Sequence, residues 1–149
     1  MTLSGTCSTF LSLTLGTMCL VAASGCSSPN VEFTTTSSLN CVDDSAQCVS
    51  SRQTALRSMV ADKSKSWVKQ PADASAHASG VRLFALRQRR RDLTCDELAH
   101  GRREADAAPA VLRASTGRLT HAQIARGVIL AGEVSRDLAR EQAKRCGKT

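Results

Sequence analysis

The sequence predicts a small, mainly α-helical domain of three or four helices that ends in an antiparallel helical hairpin. Three observations carry that expectation. First, Leu93-Thr94-Cys95-Asp96-Glu97-Leu98 and Leu119-Thr120-His121-Ala122-Gln123-Ile124 share one grammar. In each, the Thr hydroxyl can accept from the backbone N–H three residues on, and the Glu or Gln there can reach back. The Leu before the Thr can pack on the Leu or Ile five residues later. That is a capping box with a hydrophobic staple, a helix start, and it occurs twice. Second, Ile124, Val128, Ala131, Val134 and Leu138 form one apolar stripe over four turns. Third, 149 residues leave room for one domain, and Ser115-Thr116-Gly117 supplies a turn between the two helix starts.

Taken in order, the first helical pattern runs from about Ser45 to Gln70. Val49, Leu56, Met59, Val60 and Trp67 recur at helical spacing, and Asp43, Asp44 or Ser45 can cap the start. Pro71 stops it. The small residues 70–80 read as a linker, which would leave His77 exposed to solvent. Residues 81–92 fit neither period cleanly, and their Ala, Leu, Arg and Gln favour helix. The first hairpin helix runs from Cys95 toward Ala108, where Pro109 breaks or kinks it. The second runs from His121 to about Cys146, with Gly147 as its stop. Arg140, Lys144 and Arg145 suit the negative pole at its end.

The N-terminal part has a different composition. Residues 1–25 contain no Asp, Glu, Lys or Arg. The apolar run from Phe10 to Ala23 is 14 residues long. As a helix it would reach ~21 Å, short of a ~30 Å hydrocarbon core, and so fits a secretory signal peptide better than a membrane span. Ala23-Ser24-Gly25-Cys26 then resembles the lipobox of bacterial lipoproteins, although Ala23 stands where that family usually has Leu. The resemblance covers the leader alone. It implies cleavage before Cys26, lipid attachment (palmitate among the acyl chains) at Cys26, and an envelope location. Ser27, rather than Asp, after that Cys implies the outer membrane, facing the periplasm. An ordinary signal peptide cut near Ala23 or Gly25 stays open as the alternative. Residues 26–44, rich in Ser and Thr, read as a tether holding the domain clear of a membrane surface.

Of seven Cys, Cys7 and Cys19 leave with the leader and Cys26 would be lipidated, which leaves Cys41, Cys48, Cys95 and Cys146. An even remainder in an exported chain reads as two disulfides, with three connectivities open. Cys41–Cys48 with Cys95–Cys146 is the preferred pairing, because a hairpin brings the start of one helix to the end of the other. The two helices differ in length, so the ends meet only if residues 109–119 climb along the overhang, with Val111 and Leu112 packing on it. A zinc site from Cys95, Cys146, His100 and His121 matches no compact spacing. The Glu97-x-x-His100 string lacks the second copy and further carboxylates that a di-iron bundle needs. No metal and no cofactor is expected.

The formal charge is +7. Arg82, Arg87, Arg89, Arg90, Arg91, Arg102 and Arg103 cluster within 22 residues. This reads either as a solvated helix face or as a patch for an anionic envelope surface or acidic partner, with Arg87, Arg89, Arg90 and Arg91 at its centre. The aromatic content of 3% argues against a stacking nucleic-acid reader and a sugar cleft, and no small-molecule substrate is expected. No G-x-S-x-G, Walker-type or H-E-x-x-H string is present. The expected function is therefore non-catalytic: an envelope lipoprotein that binds a protein or surface, or plays a structural part. The alternatives are a soluble periplasmic enzyme or inhibitor without a recognisable motif, or an accessory lipoprotein of a secretion or conjugation apparatus.

Overall fold

A computed structural model describes residues 39–147, and these form five α-helices and one short 3₁₀ turn. The leader, Cys26 and residues 26–38 of the tether lie outside the described residues. Helix α1 spans Ala46–Ala61, and Ser45 caps it by accepting from the Cys48 amide at 3.2 Å. The 3₁₀ turn Ser66–Lys69 folds back on α1, where the Trp67 indole donates to the Met59 carbonyl at 3.1 Å. Trp67 therefore belongs to a separate element, and the stripe read through to Gln70 ends at Ala61. The residues α1 buries are Cys48, Ala55 and Met59, with Leu56 and Val60 packed alongside.

Residues 70–80 are not an open linker. Asp73 accepts from the Ala76 amide and starts α2, Ala74–Ser79, which buries Ala74, Ala76 and His77. A run of Ala and Ser reads as spacer in a sequence, yet its small side chains let a short helix lie close against its neighbours. Gly80 ends α2 at φ +74° and directly precedes α3, Val81–Arg89. A Cβ at Gly80 would also stand 2.9 Å from a Leu130 methyl, so both backbone and space require glycine.

Helices α4, Cys95–Arg113, and α5, His121–Cys146, form the antiparallel hairpin. Both capping boxes are present, Thr94 with Glu97 and Thr120 with Gln123. The staple residues Leu93 and Leu98 are fully buried, and Ile124 packs against the cluster that holds Leu119. The seam is Leu98, Gly101, Ala105, Ala108 and Leu112 against Gly127, Ala131, Val134 and Leu138. The spacing of three and four keeps one stripe inward, and the small residues allow close approach.

Pro109 does not break α4. The helix continues to Arg113, because the turn beyond the proline carries Leu112, which is fully buried beside Gly127. Burying such a side chain contributes about 1.5–3 kcal/mol, comparable with the ~3 kcal/mol that an interior proline costs. The expected extended climb over 109–119 is thus helix as far as Arg113 and turn beyond it. At ~1.5 Å per residue the helices differ by ~10 Å, which residues 114–120 cover.

Both disulfides join the preferred partners. Cys41–Cys48 has Cα atoms 5.5 Å apart, and Cys95–Cys146 has them 5.8 Å apart. Residues 39–44, assigned to the tether by sequence, lie against the domain. The Val42 carbonyl accepts from Gln123 at 3.0 Å, and Asp44 pairs with Arg126 at 3.2 Å. Among the described residues no helix is long and apolar enough to cross a membrane.

Candidate functional site

The seven arginines that cluster in sequence separate in space. Arg82 turns inward and is 2% exposed. Its Nε and Nη2 grip the Glu104 carboxylate at 2.6 and 2.8 Å, and Nη2 also donates to the carbonyls of Val68 and Gln70. The guanidinium lies 5.9 Å from the Trp67 ring centroid. It borders a cavity of about 290 Å³ lined also by Leu39, Gln70, Pro71, Asp73 and Ala76. Its Nε and Nη2 are already engaged, so Arg82 ties α3, α4 and the 3₁₀ turn together.

Arg89 is also structural. It donates to the carbonyls of Val60 and Asp62 at the end of α1 and pairs with Asp92 at 3.0 Å. Those carbonyls have no partner within their own helix, so the guanidinium acts as a cap supplied from another element. Arg87 bridges to α5 through Asp137 at 2.8 Å and Glu133 at 3.3 Å. Arg102 makes a longer contact with Asp106 at 3.6 Å, and both are about half exposed.

Arg103 is exposed on α4 with no ion pair among the described residues, and Arg90 and Arg91 remain. Arg90 donates to the Arg87 carbonyl at 2.7 Å, and Arg91 is exposed with no ion pair among the described residues. The fold adds a residue here that the sequence reading assigned only to the helix dipole. Arg145, one position before the stapled Cys146, donates to the carbonyls of Arg90, Arg91 and Leu93 at 3.3, 2.8 and 2.9 Å. The end of α5 is thereby fixed to the loop between α3 and α4, and Lys144 joins Arg90 and Arg91 at one end of the bundle. Asp92 and Glu141 offset part of this charge, and Glu141 lies 3.7 Å from Arg145. A local signal for this contact was absent: 52 residues separate Arg145 from Leu93.

The histidines occupy unrelated positions. His77 is 3% exposed, against the expectation of a solvent-facing linker residue, and its Nδ1 has no hydrogen-bond partner. Burial lowers its pKa below the usual imidazole value, while the nearby Glu104 pulls in the other direction. His121 opens α5 and Cys146 closes it, about 38 Å away along the helix, so the four residues weighed for zinc never meet. Glu97 serves its capping box and accepts from Lys65 at 2.8 Å. Burial raises its pKa, but the Lys65 and Thr94 contacts outweigh that and hold it below the usual carboxylate range. Both contacts fall on Oε2, which ties this carboxylate to the start of α4.

No protein-family model matches this chain, and comparison with curated proteins and with solved structures finds no similar protein.

Proposed function

We propose that the chain is an exported, non-catalytic module of the bacterial cell envelope, processed ahead of Cys26 and held to the membrane by a lipid there. The leader and lipobox resemblance are the sequence basis for the anchor. The observation that carries the export reading is the cysteine pairing: the four cysteines left after the leader and Cys26 are set aside form two disulfides with no thiol over. Such pairs persist in oxidising compartments and are rare in the cytosol.

The domain works by contact with an anionic envelope surface or an acidic face of an envelope protein. Its contact residues are Arg90, Arg91 and Lys144 at the stapled end. The geometry supports these over Arg87 and Arg89, which are occupied with α5 and α1. Labelled palmitate incorporated by the wild type and lost in Cys26→Ala supports the anchor; label retained by the variant refutes it. Co-sedimentation with vesicles containing phosphatidylglycerol tests the surface. Binding that weakens in the Arg90→Ser/Arg91→Ser variant and at raised salt supports the contact set, and equal recovery at low salt removes it.

A further inference from the structure

The two disulfides bridge sequence separations of 7 and 51 and differ in the charges around their sulfurs. Cys48 is the third residue of α1 and is 1% exposed. Its sulfur lies where the unpaired amides of the first turn concentrate positive potential. Arg52, one turn on, places Nη1 3.6 Å from Cys48 Sγ, and the same nitrogen donates to the carbonyls of Cys41 and Asp43 at 3.2 and 2.7 Å. The guanidinium is therefore fixed in place beside the sulfur. Two acids work against it. The Asp43 carboxylate lies within 4.8 Å of both sulfurs, though it accepts from the Ser45 amide at 2.8 Å. Asp44 contacts Arg52 at 3.6 Å but also shares Arg126.

Cys95–Cys146 has a mixed arrangement. Expelling Cys146 would place a thiolate at the negative pole of α5. Expelling Cys95 would place one in the first turn of α4, where the helix amides favour it but the adjacent Asp96 and Glu97 oppose it. Neither sulfur has a guanidinium contact among the described residues. Exchange proceeds faster when the departing thiolate is better stabilised, which singles out Cys48.

We propose that Cys41–Cys48 is a thiol–disulfide exchange site whose co-substrate is an external dithiol, while Cys95–Cys146 is a structural staple. A thiolate of the dithiol attacks Cys41 Sγ on the half-buried side of the bond. The S–S bond breaks, and Cys48 leaves as a thiolate beside Arg52. The second thiol of the reagent then attacks the mixed disulfide and releases Cys41, and both cysteines take up protons to the extent the pH dictates. Two electrons pass to the protein and the reagent ends as a disulfide. Opening loosens the carbonyls of Cys41 and Asp43 from Arg52, where the tether read from the sequence meets the domain.

The test uses the full chain in graded dithiothreitol at neutral pH, with acid quenching, alkylation and peptide mapping of each cysteine. Cys41 and Cys48 are expected to become alkylated well before Cys95 and Cys146. Because a less stabilised thiolate departs more slowly, Arg52→Gln is expected to slow that opening severalfold. Asp43→Asn is expected to speed it. A third measurement needs no variant: in the reduced protein, Cys48 reacts with iodoacetamide at lower pH than Cys146. Opening of both bonds together, or of Cys95–Cys146 first, overturns the proposal. So does a folded Arg52→Gln protein, judged by circular dichroism, whose Cys41–Cys48 opens at the wild-type rate.

Discussion

Two glycines in α5 make opposite predictions for the same substitution. A Cβ on Gly127 would stand 2.7 Å from a Leu112 methyl and 3.4 Å from the His77 carbonyl oxygen. Leu112 is fully buried, so its side chain must move within a packed seam. A Cβ on Gly132 meets nothing nearer than the end of the Arg136 side chain at 3.6 Å. Alanine in place of glycine in a helix interior is worth ~0.8–1 kcal/mol on propensity alone. Overpacking a well-filled core costs ~1–3 kcal/mol. Gly127→Ala should therefore be destabilising by up to ~2 kcal/mol, and Gly132→Ala stabilising by ~1 kcal/mol. Urea unfolding with both disulfides intact gives the comparison, read as a shift in midpoint at unchanged slope. If both variants gain stability equally, the seam at Leu112 has slack and the close approach of α4 to α5 is not what holds Pro109 inside a helix.

Three further outcomes follow from the same geometry. Arg82→Ala leaves Glu104 buried without its partner and should cost ~3–5 kcal/mol, whereas Arg82→Met with Glu104→Gln should recover part of that loss; chemical denaturation of the two variants checks the difference. His77 is held neutral by burial, so the unfolded chain binds its proton more readily than the fold does. Stability from this group is complete above the unfolded value near 6.5 and declines as pH falls from there toward the lower folded value; melting temperatures from pH 7.5 to 5 should show a slope that His77→Gln reduces. Replacing Cys95 and Cys146 together by Ala opens a loop of about 50 residues, and the chain-entropy treatment puts the loss at ~4 kcal/mol, to be read as a fall in the urea midpoint.

Local chemistry made part of this fold readable. Thr94 with Glu97 and Thr120 with Gln123 declare helix starts within six residues, because a cap is satisfied by its own turn. The pairing of Cys95 with Cys146 followed from the hairpin those starts imply. Errors arose where tertiary burial overrode a local rule. Pro109 is a helix breaker by itself, but the buried Leu112 one turn on carries the helix past it. The Ala- and Ser-rich residues 70–80 lack any apolar stripe, yet His77 and its small neighbours pack against the larger helices. The arginine cluster was visible as composition only. Which cation turns inward depends on Glu104, 22 residues beyond Arg82, and which ones cap a helix depends on Val60, 29 residues before Arg89. The sequence contains those partners but not their positions.

The segment 41–48 and the Cys95–Cys146 staple lie toward opposite ends of α5: Val42 and Asp44 meet Gln123 and Arg126 near its start, while Cys146 closes it. A domain held by its N-terminal side would therefore receive any mechanical load at the first of these places. Tension would be borne by a few side-chain contacts in residues 41–52 and would peel α1 away first. The hairpin of α4 and α5, closed by a covalent bond at its far end, would keep its shape after that peeling, so drag on whatever it holds need not unravel it.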